Sequence, residues 1–505
     1  MIPSPTSIAS GLLTPASQVP GDVAERIQEL GQQIDALSTE QAALAAAAGL
    51  QDEPVTRLTI FNGYMFVGVV AFLVTLCATP IVRRLAIANG VVDMPSESRK
   101  VHRRPIAYMG GVAVFVGLLA GILYSYFAYP IEGLISFHAT EHASIETGYR
   151  PSQLPISILL GITVIMLVGL LDDIIGVPPW QKVGGQLFAA AALAYQDVGV
   201  KVAAGVLGPI AHWLGLGDLV FTIPIPGVDM PLELDLMYWA GTGIIAVFVL
   251  GGCNAANLID GLDGLLSGVT AIAAAGLLFV ALSLALIDDG PRDGQRLVLV
   301  LALLGACLGF IPHNFNPATI FLGDCGSLLL GFTTVVVILT LGDTGKTYLV
   351  FAGLFIYAIP IIDTVLAIVR RKLSGKSISD ADDQHLHHML KRALGVKGAV
   401  LVLYAFGLGF ALLGIAMSLG RARVIYALAL VFAAYIGVTA IKIARKRIID
   451  EDADRKVRAR LAQAAERARR HAKPGRAPSV PASASAPADA PPTGSSSEQP
   501  ASPQG

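Results

Sequence analysis

The sequence predicts an all-α, polytopic integral membrane protein of about eleven transmembrane helices, with a small external β-hairpin and flexible termini. Three observations carry that expectation. Hydrophobic residues make up 54% of the 505-residue chain and charged residues only 14%, and the mean hydropathy of +0.65 excludes an ordinary soluble domain. Apolar runs of near-spanning length follow one another at 61–81, 109–129, 155–171, 183–200, 238–253, 265–287, 297–312, 328–341, 348–369, 399–419 and 424–441. Basic residues crowd into alternate loops between those runs.

Residues 1–57 form an external N-terminal segment, in which Ile27, Leu30, Ile34, Leu37 and Leu44 predict an amphipathic helix. The stripe covers too few heptads for a coiled coil, so a surface helix is the expectation. No basic region precedes an apolar core there, so the first span is expected to direct membrane insertion. The membrane domain follows, 58–445. Several of its runs fall short of the roughly 20 residues a span needs and would be completed by polar motifs at their ends. The loop 130–154 is acidic and carries His138 and His142; a solvated loop is favoured over a metal site. Within 201–237, Phe221-Thr-Ile-Pro-Ile-Pro-Gly-Val predicts the external hairpin through its Pro/Gly punctuation. Residues 446–472 read as a charged cytoplasmic helix, solvated or lying on anionic lipid. Residues 473–505 are a Pro/Ala/Ser tail expected to be disordered. Cys77, Cys253, Cys307 and Cys325 lack metal-ligand spacing and are expected to be reduced core residues.

Positive charge sets the orientation. One side holds 82–108, 172–182, 254–264, 313–327, 370–398 and the C-terminal tail, with Arg83, Arg84, Arg99, Lys100, Arg103, Arg104, Lys182, Arg370, Arg371, Lys372 and Lys376 among its basic residues. The other side has only scattered ones. The rule places the first side in the cytoplasm, the N-terminus outside and the C-terminus inside a cell inner membrane. Every stretch able to carry chemistry falls on that cytoplasmic side.

There are five such stretches. Arg99-Lys-Val-His-Arg-Arg-Pro105, running into Gly110-Gly111, offers Lys100, His102 and Arg103 to a headgroup or phosphate, or serves topology alone. Asp172-Asp173 ends an apolar run; adjacent carboxylates repel, so they are candidates for a base or for Mg²⁺ ligands. Asn254, Asn257, Asp260 and Asp263 recur every third position between two apolar runs, where polar groups are costly and functional by default. If helical, each member touches the next. Asp324 stands between Gly323 and Gly326, well placed for a hard cation that takes few protein carboxylates. Arg371, Lys372, Lys376, His385, His387 and His388 form a basic, histidine-rich loop. Zinc is one reading of it, but no Cys or H-E-x-x-H pattern accompanies the histidines; phosphate and sugar recognition is preferred. Several acids, a divalent cation and basic donors at a membrane surface are the equipment of phosphoryl transfer, with one substrate a lipid. An ion-coupled transporter is the alternative from another class, opposed by acids at helix ends rather than at mid-membrane.

In order along 60–440, Arg99-Lys-Val-His with Gly110-Gly111, Leu171-Asp-Asp-Ile-Ile-Gly176, Asn254-Ala-Ala-Asn-Leu-Ile-Asp-Gly-Leu-Asp-Gly264, Phe321-Leu-Gly-Asp-Cys-Gly-Ser327 and His385-Leu-His-His388 resemble the polyprenyl-phosphate N-acetylhexosamine-1-phosphate transferases, glycosyltransferase family 4. The interrupted histidine cluster and the span count are most like the undecaprenyl-phosphate GlcNAc-1-phosphate transferase branch. The peptidoglycan branch, the phospho-MurNAc-pentapeptide translocases, is the alternative. The resemblance implies transfer of GlcNAc-1-phosphate from UDP-GlcNAc to undecaprenyl phosphate with Mg²⁺ (or Mn²⁺) and release of UMP, in cell-envelope polysaccharide synthesis. It implies no nucleic-acid partner and leaves room for a homodimer. It implies Asp324 as the main Mg²⁺ ligand, with Asn257 and the Asp260/Asp263 pair beside the metal and diphosphate. Asp172 or Asp173 would deprotonate or orient the lipid phosphate; Lys100, His102 and Arg103 would hold that phosphate or the diphosphate; His385, His387 and His388 would meet the sugar-phosphate. Two positions depart from the pattern: Asp383 where the family often has Arg, and Met389 where a basic residue often follows the histidines.

Overall fold

A computed structural model describes residues 56–93, 105–128, 154–213, 220–223, 232–287, 292–343, 345–373 and 386–420, with single positions elsewhere. The amphipathic N-terminal helix, the loop 136–153, the basic stretch 94–104 and the tail 473–505 lie outside the described residues.

Twelve helices are described, and most begin at a residue suited to the task. Helix α1, Arg57–Ala88, is capped by Thr56, whose hydroxyl accepts from Thr59 N. Helix α2 is Gly110–Ala128, α3 is Ile156–Ile175, and α4, Pro179–Tyr195, starts on a proline at its first position. Helix α5 is Val202–Trp213. The side chain of Asp235 caps α6, Leu236–Ile259, by accepting from Met237 N and Tyr238 N. Helices α7, Leu265–Leu286, α8, Asp293–Asn314, and α9, Gly323–Thr340, follow. The last three are α10, Thr347–Ile356, α11, Ala358–Leu373, and α12, Leu386–Ser418, which is broken at Gly395.

Eight helices among the described residues are long and apolar enough to cross a bilayer. The run expected at 348–369 is instead a pair, α10 and the start of α11, bent by 83° at Tyr357. The run expected at 183–200 falls on α4, whose 17 residues extend only about 25 Å. The run at 424–441 lies almost wholly outside the described residues. The chain is therefore an all-α multi-pass membrane protein.

Helix α9 is the most enclosed of the spans and packs against α3, α6 and α2. Around it, α1 packs on α8 and α2, and α7 packs on α8 and α12. The hairpin expected outside the membrane is present: β3, Val220–Ile223, pairs antiparallel with β4, Leu232–Asp235, Phe221 opposite Leu234. A shorter ladder was not expected. Strand β1, Val92–Asp93, pairs with β2, Ile106–Ala107, and Ala107 also bridges Ile320. Cys253, Cys307 and Cys325 are buried as expected, whereas Cys77 is exposed.

Candidate active site

The acids gather at one end of the helices, around the start of α9. Gly110 N donates to Phe321 O at 2.9 Å and Gly111 N to Leu322 O at 2.8 Å, so α2 and α9 begin side by side. A methyl on Gly111 would stand 2.1 Å from Gly326 N, so this contact requires glycine. Gly323 has a φ of +72°, and a methyl on it would meet Asp173 Oδ2 at 2.4 Å. The glycines flanking Asp324 thus let two helix ends close on it.

Asp173 is part of that closure. Its two carboxylate oxygens accept from Asp324 N at 2.7 Å and Cys325 N at 3.0 Å. These are first-turn N–H groups with no partner inside α9, where negative charge also suits the helix dipole. Asp173 therefore caps a neighbouring helix from the last turn of its own. Asp172 faces elsewhere: its Oδ1 accepts from Val177 N at 2.9 Å and its Oδ2 lies 2.7 Å from Lys182 Nζ. The same ammonium lies 2.6 Å from Asp324 Oδ2. Lys182, on α4, is thus the bridge between two acids about 150 residues apart in sequence.

The row Asn254, Asn257, Asp260, Asp263 is only half helical. Helix α6 closes at Ile259, Asp260 follows as its C-cap and Asp263 lies in the turn before α7. Asn257, Asp260, Asp263 and Asp324 line one cavity of about 460 Å³. Asp263 Oδ2 is held by Asn316 Nδ2 at 2.8 Å and Ala318 N at 3.1 Å. Gly264 N donates to Asn314 Oδ1 at 3.1 Å, and the Tyr404 hydroxyl donates to Gly264 O. Tyr108 and Phe321, edge to face with centroids 5.8 Å apart, line the same cavity. Burial pushes the Asp260 carboxyl up to about 8, and the charges of Asp324, Asp173 and Asp263 add to the shift.

The remaining expected residues divide. Asn254 is outside the cavity lining: its Nδ2 donates to Gln186 Oε1 at 3.0 Å, tying α6 to the helix that carries Lys182. Arg371 is buried near the end of α11 and is likewise not in the lining. Lys100, His102, Arg103, Lys376 and His385 lie outside the described residues, as do the side chains of His387 and His388 in α12.

In the sequence Lys182 reads only as a topology charge. Its signal was present, since it is the one charged residue between Asp173 and Asp197. Asn314, Gln186 and Tyr404 carried no such mark, being polar residues in otherwise ordinary apolar helices.

Among the described residues no group of three or more His, Cys, Asp or Glu side chains is set to hold a metal alone. The donors still fit a hard cation of the Mg²⁺ kind, which takes one or two protein carboxylates and completes its shell with phosphate and water. Asp324 and Asn257, both in the cavity lining, are the oxygen donors that would meet such an ion.

Fold and site together define a multi-pass membrane protein that converges acids from distant motifs on a cavity at the ends of its helices. Residues 155–342 match the family described as Glycosyl transferase family 4. The chain is 32% identical over 354 residues to the probable undecaprenyl-phosphate N-acetylglucosaminyl 1-phosphate transferase of Bacillus subtilis, covering 69% of this chain and 84% of that one. It is 32% identical over 401 residues to the decaprenyl-phosphate N-acetylglucosaminephosphotransferase of Mycolicibacterium smegmatis, covering 75% and 88%. A phospho-N-acetylmuramoyl-pentapeptide-transferase of Bacillus anthracis is 28% identical over 344 residues, covering 65% and 90%. The chain belongs to this family, the polyprenyl-phosphate N-acetylhexosamine-1-phosphate transferases of glycosyl transferase family 4.

Proposed function

We propose that the protein transfers GlcNAc-1-phosphate from UDP-GlcNAc to undecaprenyl or another polyprenyl phosphate and releases UMP, the first membrane step of a cell-envelope polysaccharide. The observation that carries this reading is the Lys182 bridge. It brings Asp172, beside the outward-facing apolar residues Leu171, Ile174 and Ile175, to Asp324, which lines the cavity. A lipid phosphate and a water-soluble nucleotide have to meet at such a boundary. The names of the relatives at 32% identity support the GlcNAc branch.

In this reading an oxygen of the lipid phosphate attacks the β-phosphorus of UDP-GlcNAc. The bond from that phosphorus to the bridging oxygen breaks, and UMP leaves with the electron pair. A phosphate monoester has a second pKa near ~6, so at neutral pH little proton removal is needed. Asp172 and Lys182 then orient the lipid phosphate rather than deprotonate it. Asp173 keeps the start of α9 in place. Asp324 and Asn257 hold Mg²⁺, or Mn²⁺ in its stead, and Asp260 and Asp263 complete the acidic wall. Bound there, the cation supplies neutralisation of the diphosphate as it meets a second anion. Lys100, His102 and Arg103 serve the phosphates, and His385, His387 and His388 with Lys376 the sugar-phosphate side; Arg371, buried in α11, does not reach the cavity. The density of basic residues supports a cytoplasmic site, with the N-terminus outside and the C-terminus inside. A homodimer is compatible with this arrangement.

The test is a panel of UDP-sugars with the purified protein, polyprenyl phosphate and Mg²⁺, followed by mass detection of the lipid product. UDP-GlcNAc should release UMP and chelation of the cation should stop it. Turnover of UDP-MurNAc-pentapeptide in preference moves the protein to the other branch. No UMP from any UDP-HexNAc overturns the proposal.

A further inference from the structure

The cavity is electrostatically hostile to the ligand just proposed. Asp93, Asp260, Asp263 and Asp324 all line it, and a nucleotide diphosphate brings further negative charge. Among the described lining residues there is one cation, Lys391. It differs from Lys182, whose ammonium is consumed by two carboxylates at 2.7 and 2.6 Å. No ion pair involving Lys391 occurs among the described residues, although four carboxylates share its cavity.

Its position follows from the break in α12. Gly395, with φ 72° and ψ 176°, separates a short N-terminal arm, Leu386 to Leu394, from the long apolar arm. The long arm is anchored through the Tyr404 hydroxyl to Gly264 O, at the loop that carries Asp260 and Asp263. Lys391 on the short arm and Val396 just past the break both line the cavity. A half-buried ammonium on a flexible stem, with no ion pair among the described residues, is suited to an anion that arrives from outside.

We propose that Lys391 is a substrate-binding residue that contacts the diphosphate of the sugar nucleotide, and not the phosphate of the lipid. The assignment between the two phosphates rests on the two sides of the acid cluster. Lys182 and Asp172 adjoin the outward-facing apolar residues Ile174, Ile175 and Trp180, where a lipid approaches. Lys391 stands on the cavity wall, and the chain just before its arm, Ser374 to His385, is polar. The inference rests on the transferase reading above, and its test separates the two.

The experiment uses the full chain in detergent, with UDP-GlcNAc and undecaprenyl phosphate varied in turn. In K391A the KM for UDP-GlcNAc should rise about tenfold, the weight of one charge-assisted hydrogen bond, and K391R should recover most of it. The KM for the lipid should stay as in the wild type. K391Q, which keeps the stem, serves the same purpose if the alanine variant does not fold. A second arm needs no turnover: UDP should raise the unfolding temperature of the wild type more than that of K391A, while uridine should act alike on both. An unchanged nucleotide KM, or a rise in the lipid KM instead, overturns the assignment of Lys391. A wild type that releases no UMP overturns the transferase reading, and the UDP-against-uridine arm then judges the lysine on its own.

Discussion

At the ends of α8 and α9 remote from the cavity, Arg292 Nε lies 3.0 Å from Asp343 Oδ2 and Arg296 Nη1 lies 2.6 Å from Asp293 Oδ1. Arg292 also donates to Gln196 O, Arg296 to Thr340 O, and Gly199 N to Asp343 Oδ1. Two carboxylates meet two guanidiniums there, and backbone groups take further bonds. At the opposite ends of these helices, around Asn314 and Asp324, four acidic residues line the cavity with Lys391 as the one cation of the described lining, and Lys182, outside that lining, is shared between Asp324 and Asp172. Burial raises both Asp343 and Asp260, but the neighbours then act with opposite sign: Arg292 and Arg296 pull Asp343 down, whereas Asp324, Asp173 and Asp263 push Asp260 further up. A polar cluster that serves only the fold neutralises itself. One left with excess charge of a single sign is arranged for something that comes and goes.

The largest effect that would break this comparison is at Asp324. Asp324→Asn keeps the size of the side chain and removes its charge from the cavity. Turnover should fall about a thousandfold while the protein still elutes as a folded species. Retained UMP release would mean that the excess negative charge is incidental.

Arg296 should behave in the reverse manner. It is only 2% exposed, and its removal takes away a guanidinium that bonds Asp293 Oδ1 and the Thr340 carbonyl inside the fold. Arg296→Ala should cost about 3 kcal/mol or more of stability, read as a lower unfolding temperature in detergent. The turnover of each surviving folded molecule should be unchanged. Loss of turnover without loss of stability would make the remote cluster part of the chemistry.

The contrast also explains what was legible in the sequence. The spans could be read because runs such as 265–287 have few alternatives to a membrane or core helix. The acids could be read because Asp172, Asp260 and Asp324 stand where apolar sequence makes charge expensive. Partners could not be read in the same way. Nothing in the chain says that Asp173 will spend both oxygens on the N–H groups of another helix, leaving Asp172 to Lys182. That division depends on how two glycine-flanked helix ends meet. The 83° bend at Tyr357 and the two-residue ladder of Val92–Asp93 are tertiary in origin too, with no local period to announce them. Asn254 looked like the first of four equal polar residues, but one helical turn before Asn257 sufficed to aim it at Gln186.

The smallest effect is the most discriminating, because it reads the sign of the charge imbalance itself. With its carboxyl raised to about 8, Asp260 holds a proton in the folded protein at pH values where the unfolded chain, near the usual ~3.9, has lost it. Between those two values the folded state binds more protons, so its stability must fall as pH rises. The contribution is whole below the ordinary carboxylate range and gone once pH passes about 8. Thermal unfolding of the cation-free protein should therefore move to lower temperature between pH 5 and about 8, and Asp260→Asn should flatten that slope. Asp343 is also raised, so some slope should persist in the variant. The two parts respond differently to Mg²⁺. A cation in the cavity competes with the Asp260 proton, so its stabilisation of the wild type should grow as pH rises toward about 8. The slope left by Asp343, already balanced by Arg292, should ignore the cation. Equal slopes in wild type and Asp260→Asn, with or without Mg²⁺, would remove the distinction between the two ends.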